Sequence, residues 1–203
     1  MQLTALDLPF KGQRDYLHGT DMYQAIVRAI RDAESTALIG SFRMAIHKIA
    51  RLQCQLLSSA PPLPSPRPQN TIVEFSFASA DINLAGWIVE TNAPVATRVP
   101  YPEEEIAKRC LINRRTIALN EPVAFLPIEV LVAMNKELHL SCLPSAVGKW
   151  YFTRLDLDRL LRPDDVPAFQ LELGQNVSNR FTKSAIFVRD KSIGHIYFSL
   201  VGS

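Results

Sequence analysis

Between Thr20 and Ala33 the apolar residues Met22, Ile26, Ala29, Ile30 and Ala33 recur at helical spacing, which predicts an amphipathic helix with one buried face. Thr20 or Asp21 can cap its first turn. The period then changes. From Phe42 to Leu56 every second residue is apolar apart from Lys48, while the intervening positions are mostly polar. That alternation predicts one long strand with a single face turned inward, as in an antiparallel sheet covered on one side. The prolines Pro61, Pro62, Pro64, Pro66 and Pro68 follow, and a tract so dense in proline neither donates to a ladder nor continues a helix. It predicts a stiff surface connection. Thr71 to Ser79 and Ala85 to Glu90, rich in Val, Ile, Phe and Trp around a break at Asp81 to Asn83, predict a hairpin.

The second half runs in a similar order. Prolines at 94, 100 and 102 and the acidic run Glu103 to Glu105 mark a crossover, and Cys110 to Leu119 reads as a strand. Pro127 sits where a first helical turn accepts proline, and Ile128, Leu131, Val132, Asn135 and Leu138 follow along one face. Trp150 to Leu161 repeats the long strand, Arg162 to Pro167 makes a turn, and Phe181 to Val188 with Ile193 to Val201 form a last hairpin. Setting Asp21 against Glu129 also sets Ala25 against Ala133 and Gly86 against Gly194. Anchors so far apart agreeing in register argue for an internal repeat, with units at 1–92 and 93–203 in one compact whole. In Trp150 to Leu161 the apolar phase is one residue off this overlay, which calls for a bulge or slip there.

Composition narrows the classes. The chain has 203 residues, 47% hydrophobic and 21% charged, with a net charge of +2, ordinary values for a folded globular chain. No apolar run approaches the length of a membrane span, and MQLTALDLPFKG lacks the features of a secretion signal. A cytoplasmic location is the expectation. Cys54, Cys110 and Cys142 are widely spaced in apolar surroundings and read as buried reduced thiols rather than disulfides or a zinc site. Lys108, Arg109, Arg114 and Arg115 form the densest basic group. It reads as a solvated strand face, with the phosphates of a large anionic ligand as the alternative, and no nucleic-acid module accompanies it.

A helix followed by long antiparallel strands, twice over, is similar to the hot-dog fold of thioesterases and hydroxyacyl dehydratases, arranged as a double hot dog of α+β class. The segment HGTDMYQAI, His18 to Ile26, resembles the acidic segment before the central helix in one thioesterase branch. There an aspartate at the helix start is nucleophile or general base, and Asp21 takes its place. Met22, Tyr23 and Gln24 stand where that branch continues Gly-His-Asn. The resemblance implies an enzyme acting on an acyl thioester of coenzyme A or an acyl carrier protein, by hydrolysis or dehydration. The alternative is a non-catalytic relative binding an acyl or aromatic ligand in a biosynthetic pathway.

Such chemistry needs a carboxylate or water-activating base and N–H donors for the developing oxyanion, which a helix N-terminus supplies. Asp21, Glu129 and His18 are the candidate acid/base residues, against the simpler roles of helix cap, dipole partner and loop residue. His47, His139 and His195 have no metal-ligand spacing, and Trp87 and Trp150 read as core. Neither a phosphate-binding glycine loop nor a Gly-x-Ser-x-Gly elbow occurs. No cofactor and no metal is expected, and the sequence leaves a homodimer open.

Overall fold

The computed structural model describes residues 1–33 and 39–202. The chain divides into two compact units, Met1–Tyr101 with Asp158–Leu160 and Pro102–Leu157 with Leu161–Ser203.

The first unit contains strands β1 (Gln2–Ala5), β2 (Phe10–Lys11), β3 (Ile39–Ile46), β4 (Leu52–Ser59), β5 (Thr71–Ala78), β6 (Asn83–Pro94) and β7 (Arg98–Val99), with helix α1 over Gly19–Ala33. Its main sheet runs β1-β4-β6-β5-β3, with every neighbour antiparallel. Registered partners share a face, and one face carries Phe42, Met44, Leu56, Val73, Phe75, Phe77 and Ile88, all buried. On it lies α1, burying Met22, Tyr23, Ala25, Ile26, Val27 and Ile30. Tyr23 meets Phe42 edge-on with ring centres 5.3 Å apart, a favoured aromatic geometry. Met22, Ile26 and Ile30 fall where the periodicity placed them, whereas Ala33 is exposed.

The alternation from Phe42 to Leu56 is two strands, not one. β3 ends at Ile46 and β4 begins at Leu52, on opposite sides of the β5–β6 hairpin. The two carry apolar residues at positions of the same parity, so the break between them left the pattern almost intact. Since β6 separates β4 from β5, the proline-rich tract must cross β6. It does so against the other face, where Leu63 packs on Leu57, Trp87 and Val89.

The second unit comprises α2 (Glu104–Ala107), β8 (Cys110–Asn113), β9 (Thr116–Leu119), α3 (Pro127–Cys142), β10 (Lys149–Arg159), a 3-10 turn (Pro163–Ala168), β11 (Phe169–Val177), β12 (Phe181–Val188) and β13 (Lys191–Val201). Its strands run β10-β13-β12-β11-β9-β8, each antiparallel to its neighbours. Cys110 to Leu119, expected as one strand, is a hairpin turning at Arg114 and Arg115, with Arg114 at φ 53°. β11 was not foreseen, although Phe169, Leu171 and Leu173 alternate along it and are buried. The last hairpin turns at Arg189 and Asp190, both at positive φ (49° and 63°), as a two-residue turn requires to match strand twist. β10 carries a bulge at Thr153, between Phe152 and Arg154, in its pairing with β13. The last strands differ in placement, β6 lying between β4 and β5 and β13 between β10 and β12.

α3 buries nearly all of its first turns, with Ile128, Val130, Leu131, Met134, Asn135, Leu138 and His139 fully inaccessible. α2 packs against it through the buried Ile106. His139 stacks on Trp150 with ring centres 4.4 Å apart, and its Nε2 hydrogen-bonds Thr182 Oγ1 at 2.8 Å.

Gly86 and Gly194 mark the tightest approaches in the two sheets. A Cβ on Gly86 would lie 1.9 Å from the Leu57 carbonyl oxygen, and one on Gly194, at φ +145°, 2.1 Å from that of Asp156. Gly86→Ala and Gly194→Ala are each expected to cost about 1–3 kcal/mol or more as the strands are forced apart, read as a lower midpoint in urea. Burial lowers the His139 pKa from 6.5 to about 4. The unfolded chain therefore binds a proton that the folded one refuses between those values, and stability falls as pH drops through that window, by roughly 3 kcal/mol at most. Denaturation at pH 7 and pH 4.5 should show a smaller pH effect in His139→Gln than in the wild type.

Candidate functional site

The start of α1 gathers the polar side chains of the first unit. The helix begins at Gly19, one residue before the expected start, so Asp21 is its third residue rather than its cap. Its carboxylate turns to Lys11, with Nζ 2.6 Å from Oδ1. Both ends of this pair are shielded, at 7% and 14% side-chain exposure. The Lys11 ammonium also donates to Thr20 Oγ1 at 3.2 Å, and that hydroxyl lies 2.7 Å from His18 Nδ1. Tyr101 closes the group: its ring centre is 5.4 Å from that of His18 and 5.2 Å from both Lys11 Nζ and Arg14 Cζ.

A strand pair between distant parts of the chain delivers these residues. β2 pairs in parallel with β7, Phe10 opposite Arg98 and Lys11 opposite Val99, which brings the segment ahead of α1 beside the one leading to Tyr101. Gly12 turns the chain at φ +56°, a conformation that costs glycine little. Arg98 Nη1 ties that turn down by donating to the carbonyls of Gly12 (2.6 Å) and Arg14 (2.8 Å). Lys11, His18, Thr20 and Tyr101 are all buried, so a carboxylate, an ammonium, an imidazole, a hydroxyl and a phenol share one poorly solvated space. Together they can hold a charged carboxylate at neutral pH, present a donor to a developing oxyanion and pass a proton through the hydroxyl to the imidazole.

Sequence reasoning picked out Asp21 and His18, and the structure places both here. It missed Lys11, Thr20 and Tyr101, whose only local signal was a basic residue in the short segment ahead of an acidic helix start. Glu129 lies in the second unit, likewise third in its helix, and is buried. Its Oε2 accepts the Leu126 N–H at 3.0 Å, the side-chain-to-backbone half of a capping box.

Other candidates are committed elsewhere. Lys108, Arg109, Arg114 and Arg115 are all exposed, as the solvated reading expected, though they lie ahead of β8 and at its hairpin turn. Two of them also make backbone bonds, Arg115 to the carbonyls of Leu173 and Gly174 on β11 (2.8 and 2.7 Å) and Arg109 to that of Pro122 (2.6 Å). Cys54 is buried, but Cys110 and Cys142 are only half-buried. Burial, with Glu90 adding to it, pushes the Cys54 thiol up to about 12, and burial with Glu137 pushes Cys110 to about 11. Neither is a thiolate nucleophile at neutral pH. Among the described residues no group of His, Cys, Asp and Glu could hold a metal ion, and no helix is long and apolar enough to cross a membrane.

Asp21→Asn strands the Lys11 ammonium in a shielded site and is expected to cost about 3–5 kcal/mol, most of it recovered when Lys11→Met is combined with it. Urea denaturation of the wild type, both single variants and the double variant measures this coupling.

No family model matches the sequence, and a search of curated proteins gives no match. Solved structures do match. The dehydratase domain of PpsC from Mycobacterium tuberculosis, determined in complex with C12:1-CoA, is 7% identical, with 98% of this chain and 92% of that one covered and a TM-score of 0.52. An acyl-CoA thioesterase II, TesB2, from Mycobacterium marinum is 9% identical over 91% and 89%, with a TM-score of 0.44. A protein with a hot-dog fold from Alicyclobacillus acidocaldarius is 8% identical over 99% and 93%, with a TM-score of 0.47. At such identities the likeness is one of fold. With a helix laid on an antiparallel sheet in each unit and the PpsC domain matched along nearly its whole length, the chain has the hot-dog fold.

Proposed function

We propose that this protein acts on an acyl thioester, of coenzyme A or of an acyl carrier protein, with the group at the start of α1 as its acid/base machinery. The observation that carries the reading is the shielded Lys11–Asp21 pair joined through Thr20 to His18. A well-packed apolar pair of similar volume would stabilise such a position at least as well, so stability alone is a poor reason for these charges. In this reading Asp21 orients or activates the attacking water, or removes the proton in a dehydration. Lys11 offers its ammonium to the thioester oxygen, and His18 moves the proton. Glu129 fixes the start of α3 in its own unit.

We also read the two units as copies of one hot-dog repeat, a double hot dog. Asp21 and Glu129 are each third in their helices, and Gly86 and Gly194 each sit in a last strand against a neighbour's carbonyl. The unlike placement of β6 and β13 is then a rearrangement that accompanies the long proline-rich connection.

A second reading, a non-catalytic protein that binds an acyl or aromatic ligand, is favoured by one observation: Asp21 Oδ1 is already engaged by the Lys11 ammonium at 2.6 Å, so that oxygen serves an ion pair within the fold.

A panel of acetyl-, octanoyl- and 3-hydroxyoctanoyl-CoA, followed by thiol release and by the absorbance of the enoyl product, separates the two. The expected result is turnover by the wild type that falls about 10²–10⁴-fold in Asp21→Asn, with the fold preserved by circular dichroism. Binding of the same compounds without turnover would instead establish the second reading.

A further inference from the structure

The interior of the second unit holds a polar group that the site on α1 does not use. Asn135 and His139 are one turn apart on α3 and therefore share a helix face. Thr182 and Ser184, two apart on β12, share a sheet face. All four are fully inaccessible. His139 Nε2 and Thr182 Oγ1 satisfy each other at 2.8 Å. Both side-chain atoms of Asn135, Ser184 Oγ and His139 Nδ1 have no hydrogen-bond partner among the described residues.

The direction of α3 places these atoms together. Its end, at Cys142, donates its thiol to the Arg114 carbonyl at the β8–β9 turn, and the neighbouring Arg115 is level with Leu173, which pairs with Ser184. The helix also packs on the 3-10 turn just ahead of Phe169, which pairs with Val188 at the far end of β12. α3 thus runs against β12. One turn back along the helix is about 6 Å, close to the roughly 6.6 Å that separates alternate strand residues, so from the His139–Thr182 bond the helix carries Asn135 toward the Ser184 end of β12. Histidine spans the distance between helix and sheet and makes its bond. Asparagine has a shorter reach and does not.

We propose that Asn135, Ser184 and His139 Nδ1 form a buried binding site for a neutral group that both donates and accepts hydrogen bonds, an amide or an alcohol carried on an apolar stem. Each buried polar atom left unmatched is destabilising, and native interiors rarely leave several in one unit. The chemistry of the occupant follows from what surrounds it. Asn, Ser and Thr carry no charge, and burial keeps the imidazole neutral above about pH 4. A carboxylate, phosphate or ammonium would enter without a counter-charge, at high cost. Trp150 and Phe198 stand against the imidazole, and Leu131 and Ile186 are fully buried on the same two elements, so the rest of the ligand should be apolar.

The test uses hexanamide and 1-hexanol as neutral probes and hexanoate and hexylammonium as charged controls, added to the full chain with its imidazole nitrogens observed by NMR. Both neutral probes should move the His139 Nδ1 resonance, leave those of His47 and His195 in place and raise the melting temperature, and neither charged compound should. In Asn135→Leu/Ser184→Ala, and in Ser184→Ala alone if the double variant fails to fold, neutral binding should weaken roughly tenfold or be lost. No response of His139 to either neutral probe would overturn the proposal, as would an equal response in the variants. A water contact to the His139 ring without any probe response would show an internal water alone, and would also overturn it. The inference does not rest on the acyl-thioester reading: failed turnover leaves the His139 shift unaffected, and a missing shift leaves the role of Asp21 unaffected.

Discussion

A carboxylate taken out of water at the start of a buried helix needs a compensating partner, and for Asp21 that partner is the Lys11 ammonium. That requirement organises the first unit around α1. Lys11 must reach Asp21 from β2, so β2 is held by pairing with β7 and the intervening turn is pinned by Arg98. The same pairing brings Tyr101 over Lys11 and His18. The apolar face of α1 fixes the helix on Phe42 and its neighbours, while its polar start fixes the chain that leads in. One electrostatic constraint and one hydrophobic one meet at Thr20, which is fully buried and bonded on both sides.

The second unit meets the same demand differently. Its helix begins with Glu129 turned back onto the Leu126 N–H, a backbone partner where Asp21 has an ammonium. The buried polar residues of α3 further along are Asn135 and His139, the latter bonded to the Thr182 hydroxyl of β12. One helix start carries charge; the other unit carries neutral hydrogen-bonding groups in its interior. Charge at neutral pH suits acid/base chemistry, and neutral polar groups suit selection of a ligand by hydrogen bonds.

Much of the fold was legible because periodicity is a local property. The faces of both helices and the hairpins at 71–94 and 181–201 all left a mark in the order of apolar residues. Elements whose existence depends on distant partners were not. β3 and β4 merged in the pattern because their inward residues fall at positions of equal parity, with Lys48 as the one interruption. β1 is only four residues long, Gln2–Ala5, too short for its alternation to stand out. The site was half legible for the same reason. Asp21 and His18 stand at a helix start, a recognisable local context, whereas Lys11 and Tyr101 join them only through the β2–β7 pair. Asn135 was visible as a polar residue on an otherwise apolar helix face, but the burial that makes it informative belongs to the folded unit.

If, as proposed, the group around Asp21 meets the reacting part of an acyl thioester, a crystal structure with a non-hydrolysable thioether analogue, octyl-CoA, should show it through the position of the sulfur. The sulfur is expected beside the start of α1, with Asp21 and His18 within hydrogen-bond reach of the adjoining carbon position directly or through one water. An analogue bound elsewhere on the protein, with the Lys11–Asp21 pair unchanged and closed to it, would overturn the proposal.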